Sequence, residues 1–163
     1  MMISGRTGTA LFLLAGIFLL GCTGNFGPFN SDTFNARMQE CAKIVNQTDR
    51  DSCYGAVASL QKNAAACAEI SSTVARDTCH QDLAVAQKSQ NRCDKITGET
   101  TRISCYSRVA IAANDESLCE TILDYQGVKN QCYYEIATAK RDKKICLKIT
   151  DDYLGSKCVS GIV

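Results

Sequence analysis

Apolar side chains recur at helical spacing through residues 41–163, and the same pattern returns about every 26 residues. In one copy Cys79, Leu83 and Ala84 occupy positions i, i+4 and i+5, which lie on one face of an α-helix. Earlier in that copy Cys67 and Ile70 form an i, i+3 pair. Because polar and apolar residues do not alternate with a period of two in any copy, the pattern predicts two short helices per copy and no strand.

Ten cysteines keep this period. Their separations alternate between 12 and 14 residues, with a single 13 in the fourth copy. They are Cys41, Cys53, Cys67, Cys79, Cys93, Cys105, Cys119, Cys132, Cys146 and Cys158. Isoleucine follows the first cysteine of every copy by three residues, and a tyrosine follows the second cysteine in three of the five copies. The chain therefore contains five copies of one structural unit.

Residues that favour helix starts and turns also recur. Four residues before the first cysteine of copies two to five stands a residue that caps helix N-termini, namely Asn63, Ser89, Asp115 and Asp142. Turn-forming residues separate the two predicted helices, at Ser71-Ser72-Thr73, Thr97-Gly98, Gly127 and Asp151-Asp152. The extra residue of the fourth copy falls near Gly127, where we expect a loop to accommodate it.

A 26-residue helical pair cannot bury its own apolar face, whereas stacked pairs share a core. The sequence therefore predicts an all-α fold of five helical hairpins, stacked as a short α-solenoid. All five phenylalanines lie at or before Phe34, so the predicted core is made of small and aliphatic side chains. Such a core favours disulfides as additional stabilisation.

Helix geometry indicates which cysteines pair. The turn of the first copy lies near Gln47, six residues from both Cys41 and Cys53, so the two cysteines reach the same height on facing helices. A bridge between Cys53 and Cys67 would span an offset of about 9 Å along the helices, too far for a disulfide. The predicted pairs are Cys41–Cys53, Cys67–Cys79, Cys93–Cys105, Cys119–Cys132 and Cys146–Cys158. Metal binding or thiol exchange is the alternative, but the close C-x-x-C pairs typical of zinc and iron–sulfur sites are missing from the sequence.

The N-terminal segment indicates export. Arg6 is followed by an apolar run from Ala10 to Leu20, too short for the roughly 20 residues that span a bilayer. The run ends Leu19-Leu20-Gly21-Cys22, which resembles the lipobox of prokaryotic lipoproteins. The resemblance implies a signal peptide over residues 1–21 and a lipid such as palmitate on Cys22. The turn-forming residues that follow predict a flexible tether over 22–36, and the repeats predict a domain over 37–163. Ordinary cleavage and an uncleaved anchor are the alternatives.

Charge and motifs exclude several functions. Lysine and arginine number 18 against 17 aspartates and glutamates, so we expect no nucleic-acid partner. The only histidine, His80, stands where three other copies have tyrosine; we expect a packing group there, and a catalytic base is the alternative. Hydrolase, zinc-protease and phosphate-loop motifs are missing from the sequence. We therefore predict a protein that is not an enzyme and binds no cofactor and no metal.

One basic residue per copy precedes the second cysteine by three positions. These residues, Arg50, Arg76, Arg102 and Lys129, form a candidate interaction row along one face. The alternative is that each is solvated or paired with a neighbour such as Asp51 or Asp77. A similar row, Tyr54, Tyr106 and Tyr133, is expected to be half-buried at the repeat junctions.

In design the chain resembles disulfide-stapled helical-repeat proteins of bacterial envelopes, such as the Sel1-like cysteine-rich group. The lipobox-like segment implies a lipoprotein that is anchored to a membrane through Cys22 on the extracytoplasmic side of the cell envelope. There we expect the repeats to act as an interaction module for a protein partner. Two other hypotheses are a structural or protective envelope component without a specific ligand, and a protein that handles thiols or metals.

Overall fold

The computed structural model describes residues 31–163, so the predicted signal peptide, Cys22 and residues 22–30 of the predicted tether lie outside the described part. Residues 31–163 form eight α-helices and two 3₁₀ helices, and contain no strand. The elements are α1 Ser31–Ala42, α2 Gln47–Gln61, α3 Ala65–Ala68, α4 Thr73–Ala86, η1 Gln90–Lys95, α5 Glu99–Ala113, η2 Glu116–Thr121, α6 Gln126–Lys140, α7 Lys143–Cys146 and α8 Asp152–Gly161. The predicted all-α fold of five stapled hairpins is confirmed.

Each repeat pairs one helix with a longer one. The long helices α2, α4, α5, α6 and α8 pack side by side in chain order, and the intervening short helices each touch the long helices before and after them. After the first repeat, the short helix spans only four to six residues. Each of these short helices lies between a cap residue and an isoleucine that are only seven residues apart, as Asp115 and Ile122 are.

The first repeat begins earlier than predicted. Helix α1 starts at Ser31, so residues 31–36, which were assigned to the tether, are helical. Phe34 and Met38 of this helix pack against the core formed by the first two repeats. Together with Cys41 they occupy positions i, i+4 and i+7, which is a helical apolar stripe. The tether prediction was therefore too long at its C-terminal end.

The core repeats with the sequence. The second, third and fourth repeats each bury one isoleucine, one further aliphatic residue and one alanine beside the disulfides, as with Ile96, Val109 and Ala110 in the third repeat. The alanine of this set is completely buried in all four repeats that have it (Ala58, Ala84, Ala110 and Ala137). Long helices therefore approach one another through a position that leaves room for little more than a methyl group.

Four long helices end in the same way. The residue after the last turn has a left-handed backbone with φ of 51–54°, at Lys62, Lys88, Asn114 and Arg141. The next residue donates its N–H to the carbonyl of the buried alanine at 2.9–3.1 Å, which is the Schellman pattern. That residue is also the N-cap of the following short helix at Ser89, Asp115 and Asp142, whereas Asn63 lies one residue before the N-cap of α3. The side chains of Asn63, Asp115 and Asp142 accept a backbone N–H, whereas that of Ser89 does not.

The extra residue of the fourth repeat lies in the loop before α6. Gly127 itself falls in the first turn of α6, so its predicted place in the turn was wrong. The loop that leads into α6 contains Leu123, Asp124 and Tyr125, where the preceding repeat has only Thr97 and Gly98 before its long helix. The insertion therefore lengthens the loop and leaves the helix in register.

Candidate functional site

The ten repeat cysteines form five disulfides, each within one repeat. The pairs are Cys41–Cys53, Cys67–Cys79, Cys93–Cys105, Cys119–Cys132 and Cys146–Cys158, with Cα atoms 5.5–6.0 Å apart. The pairing predicted from equal heights on facing helices is confirmed. Among residues 31–163, no three His, Cys, Asp or Glu side chains cluster as metal ligands would.

The basic residues of the candidate interaction row have partners inside their own repeats. The guanidinium groups of Arg50, Arg76 and Arg102 each donate from Nη1 to the carbonyl of the isoleucine six residues earlier, at 2.9, 3.2 and 3.2 Å. Lys129 instead pairs with Glu120 at 2.7 Å. These contacts close the turn between the two helices of each repeat, which accounts for a basic residue at this position.

The residue that follows three of the four basic residues connects one repeat to the next. Asp51 accepts the N–H groups of Ser71 and Ser72, both at 2.9 Å. Asp77 accepts those of Thr97 and Gly98, and Asn130 accepts that of Thr150. The hydrogen bonds from the Ser71 and Ser72 N–H groups hold the pKa of Asp51 below its ordinary value. This role was not predicted from the sequence, although an aspartate follows both Arg50 and Arg76 and an asparagine follows Lys129.

Two tyrosines of the predicted row donate to a carboxylate in the same repeat. The Tyr106 hydroxyl donates to Asp94 at 2.5 Å, and the Tyr133 hydroxyl donates to Glu120. Hydrogen bonding to Asp94 raises the pKa of Tyr106, whereas burial is the main cause that raises the pKa of Tyr133. Tyr106 is half-buried as predicted, but Tyr54 and Tyr133 are almost fully buried.

His80 occupies the tyrosine position of the second repeat and is buried, with 8% of its surface exposed. Burial lowers the pKa of its imidazole; Asp77 opposes this shift, and Arg76, Arg92 and Lys95 reinforce it. The side chain is therefore neutral at pH 7. Its Nδ1 atom has no hydrogen-bond partner among residues 31–163.

The position two residues after the second cysteine decides whether the groove between successive long helices is open. Between α4 and α5 it holds Gln81, which accepts a hydrogen bond from Arg108 at 2.7 Å. Between α6 and α8 it holds Tyr134, with Lys157 Nζ 5.7 Å from the ring centre. Each of these two long side chains contacts the next long helix.

Small residues at the same position leave the other two grooves open. Gly55 lines a groove of about 500 Å³ between α2 and α4, whose apolar floor includes Ile70 and Leu83. Ser107 lines a groove of about 220 Å³ between α5 and α6, beside Tyr125. A Cβ atom at Gly55 would find its nearest neighbour, Ile70 Cδ1, at 4.0 Å, an ordinary contact. Packing therefore does not require glycine at this position.

No family model, curated protein or solved structure matches the chain. Within residues 31–163, every helix is too short or too polar to cross a bilayer.

Proposed function

We propose that the chain is an exported lipoprotein, anchored through a lipid on Cys22, whose repeats bind a protein partner on the extracytoplasmic side of a membrane. Five intramolecular disulfides support export, because such bonds persist in oxidising compartments. The Leu19-Leu20-Gly21-Cys22 segment supports the lipid anchor.

The two open grooves carry the interaction part of this proposal. They lie at equivalent positions of the stack, two repeats apart, because Gly55 and Ser107 occupy the same repeat position. Glycine in the interior of a helix costs about 1 kcal/mol relative to alanine, and the free space around Gly55 shows no packing gain that offsets it. The occupant we propose is a protein segment that inserts long side chains, as Gln81 and Tyr134 do in the closed grooves.

A photo-crosslinking experiment with groove-filled variants tests the interaction. A photo-reactive residue replaces exposed Ser59, which lines the first groove, and a matched probe replaces exposed Lys144. We expect one recurrent protein adduct from position 59 in envelope membranes, and its loss when Gly55→Gln fills that groove. Equal adducts from both positions, or adducts that Gly55→Gln leaves unchanged, would contradict a groove-bound partner and favour a structural or protective component.

The anchor is tested separately by intact mass. Non-reduced mature protein should carry the mass of a lipid on Cys22 and lack ten hydrogens because of its five disulfides. Cys22→Ser should remove the lipid and release the protein from membranes. A mature chain without lipid would overturn the anchor and leave the groove test unaffected.

A further inference from the structure

The second repeat lacks both members of a tyrosine–carboxylate pair that is present in the third and fourth repeats. In those repeats the residue after the first cysteine is an acid, and it accepts the hydroxyl of the tyrosine after the second cysteine. The second repeat has Ala68 in place of the acid and His80 in place of the tyrosine. The buried imidazole is therefore left without the carboxylate that its counterparts contact.

A cleft of about 540 Å³ lies at these two positions. Ala68 and His80 line it, together with Arg92 and Lys95 of the third repeat. Within residues 31–163, the side chains of Arg92 and Lys95 form no ion pair. The cleft is thus lined by two cations without an ion pair and by a histidine whose buried Nδ1 atom has no hydrogen-bond partner.

The fourth repeat shows what fits such a setting. There Glu120 lies between the Tyr133 hydroxyl and two cations, Lys129 at 2.7 Å and Lys148 at 3.7 Å. Lys148 stands two residues after the first cysteine of the next repeat, as Lys95 does for the cleft. At the second repeat, His80 therefore faces Lys95 at the position of Lys148 and Arg92 as a further cation of the third repeat, but the carboxylate between them is lacking.

We propose that this cleft binds a carboxylate group supplied from outside the repeat domain, in the position equivalent to that of Glu120. Neutral imidazole donates one N–H, and the guanidinium and ammonium groups supply charge-assisted hydrogen bonds. Residues 1–30 contain no aspartate or glutamate, so their side chains cannot supply the group. The ligand is either a small free carboxylate or an acidic side chain of another protein. This inference does not depend on the anchor or on the grooves.

The single histidine makes the test direct. In the full chain labelled with ¹⁵N-histidine, one imidazole reports on the cleft, and we titrate it with acetate and glutarate at constant ionic strength. We expect saturable shifts of the imidazole signals, about tenfold weaker binding in Arg92→Gln/Lys95→Gln, and no change in Lys143→Gln/Lys144→Gln, which removes the same charge at exposed positions. Ala68→Glu should abolish the response, because it places a carboxylate inside the cleft.

Two short peptides distinguish the sources of the carboxylate. Acetyl-Ala-Glu-Ala-amide should bind if the ligand is an acidic side chain, and acetyl-Ala-Gln-Ala-amide should not. Binding of acetate alone assigns the cleft to small free carboxylates. Shifts that do not saturate, that sodium chloride reproduces, or that survive Arg92→Gln/Lys95→Gln in a folded protein would overturn the proposal.

Discussion

Asp77 and Gly98 meet across the junction between the second and third repeats, where the Gly98 N–H donates to Asp77 Oδ2 at 2.8 Å. A Cβ atom on Gly98 would lie 3.2 Å from that oxygen, so glycine permits the close approach. Thr97 adds its N–H at 3.0 Å and its hydroxyl. One buried carboxylate therefore fixes the start of the next long helix.

Removal of this carboxylate should weaken the junction. We expect Asp77→Ala to lower the free energy of unfolding by about 2 kcal/mol, because two backbone N–H groups lose a charged acceptor. Urea denaturation at pH 7 measures the change. The matched control is Asp82→Ala on the same helix, whose exposed carboxylate reaches only Arg108 at 4.0 Å, and which should change stability by less than about 0.5 kcal/mol. Equal losses in both variants would contradict this role of Asp77.

The stabilisation by Asp77 should disappear in acid. Burial alone would raise the pKa of Asp77, but the hydrogen bonds from Thr97 and Gly98 outweigh burial and lower it. Because the folded pKa lies below the unfolded one, the stabilisation is complete above about pH 5 and is lost as the pH falls through the folded value. The difference between wild type and Asp77→Ala should therefore shrink below about pH 4.

His80 should make the free energy of unfolding depend on pH in a higher range than Asp77 does. The unfolded chain protonates an ordinary histidine near pH 6.5, whereas burial lowers the folded pKa. The unfolded state thus binds more protons in this window, so stability is full above about pH 6.5 and decreases as the pH falls through the folded value. Thermal unfolding between pH 7.5 and 5 measures the decrease, and His80→Tyr, which restores the common repeat residue, should remove it. A flat profile in wild type would contradict the lowered pKa.

The sequence period predicted the hairpins and the disulfide pairing for a physical reason. Cysteines equidistant from a turn lie at equal heights, and this geometry does not depend on helix length. The role of Asp77 was harder to predict, because its neighbour Arg76 suggested a local ion pair. Adjacent residues on a helix point about 100° apart. Arg76 therefore returns to its own turn at Ile70, while Asp77 faces the next repeat.

The cleft and the grooves were also not predicted from the sequence. Each depends on a small side chain at a position where other repeats have a larger one: Ala68 in place of an acid, and Gly55 in place of a longer residue. Only the packed structure shows that both substitutions leave open space. Of these positions only His80 replaces a residue common to three copies, whereas the positions of Ala68 and Gly55 differ from copy to copy.

The last disulfide should stabilise the last repeat locally. Cys146 and Cys158 are separated by 12 residues, and chain-entropy reasoning gives about 3 kcal/mol for a loop of this size. Within residues 31–163, α7 and α8 pack against α6 of the preceding repeat. We therefore expect Cys146→Ala/Cys158→Ala to accelerate hydrogen exchange in α7 and α8 while α2 and α4 stay protected. Cys93→Ala/Cys105→Ala, in the central repeat, should instead accelerate hydrogen exchange in both flanking repeats. Accelerated exchange confined to the central repeat would contradict coupling between neighbouring repeats.

Replacement of the left-handed residues at the ends of the long helices with glycine should raise the free energy of unfolding. Arg141 has φ 54°, a conformation that costs a residue with a Cβ atom about 1 kcal/mol or more, and it ends α6 in the Schellman pattern. Glycine adopts this conformation without that cost but loses more entropy on folding, so we expect Arg141→Gly to raise the free energy of unfolding by about 0.5–1 kcal/mol. Asn114→Gly should gain less, because asparagine tolerates the left-handed region. As a matched control, Ala139→Gly in the last turn of the same helix should lower stability by up to about 1 kcal/mol. Urea denaturation of the three variants checks the order, and a loss of stability in Arg141→Gly would show that the arginine side chain contributes more than its backbone conformation costs.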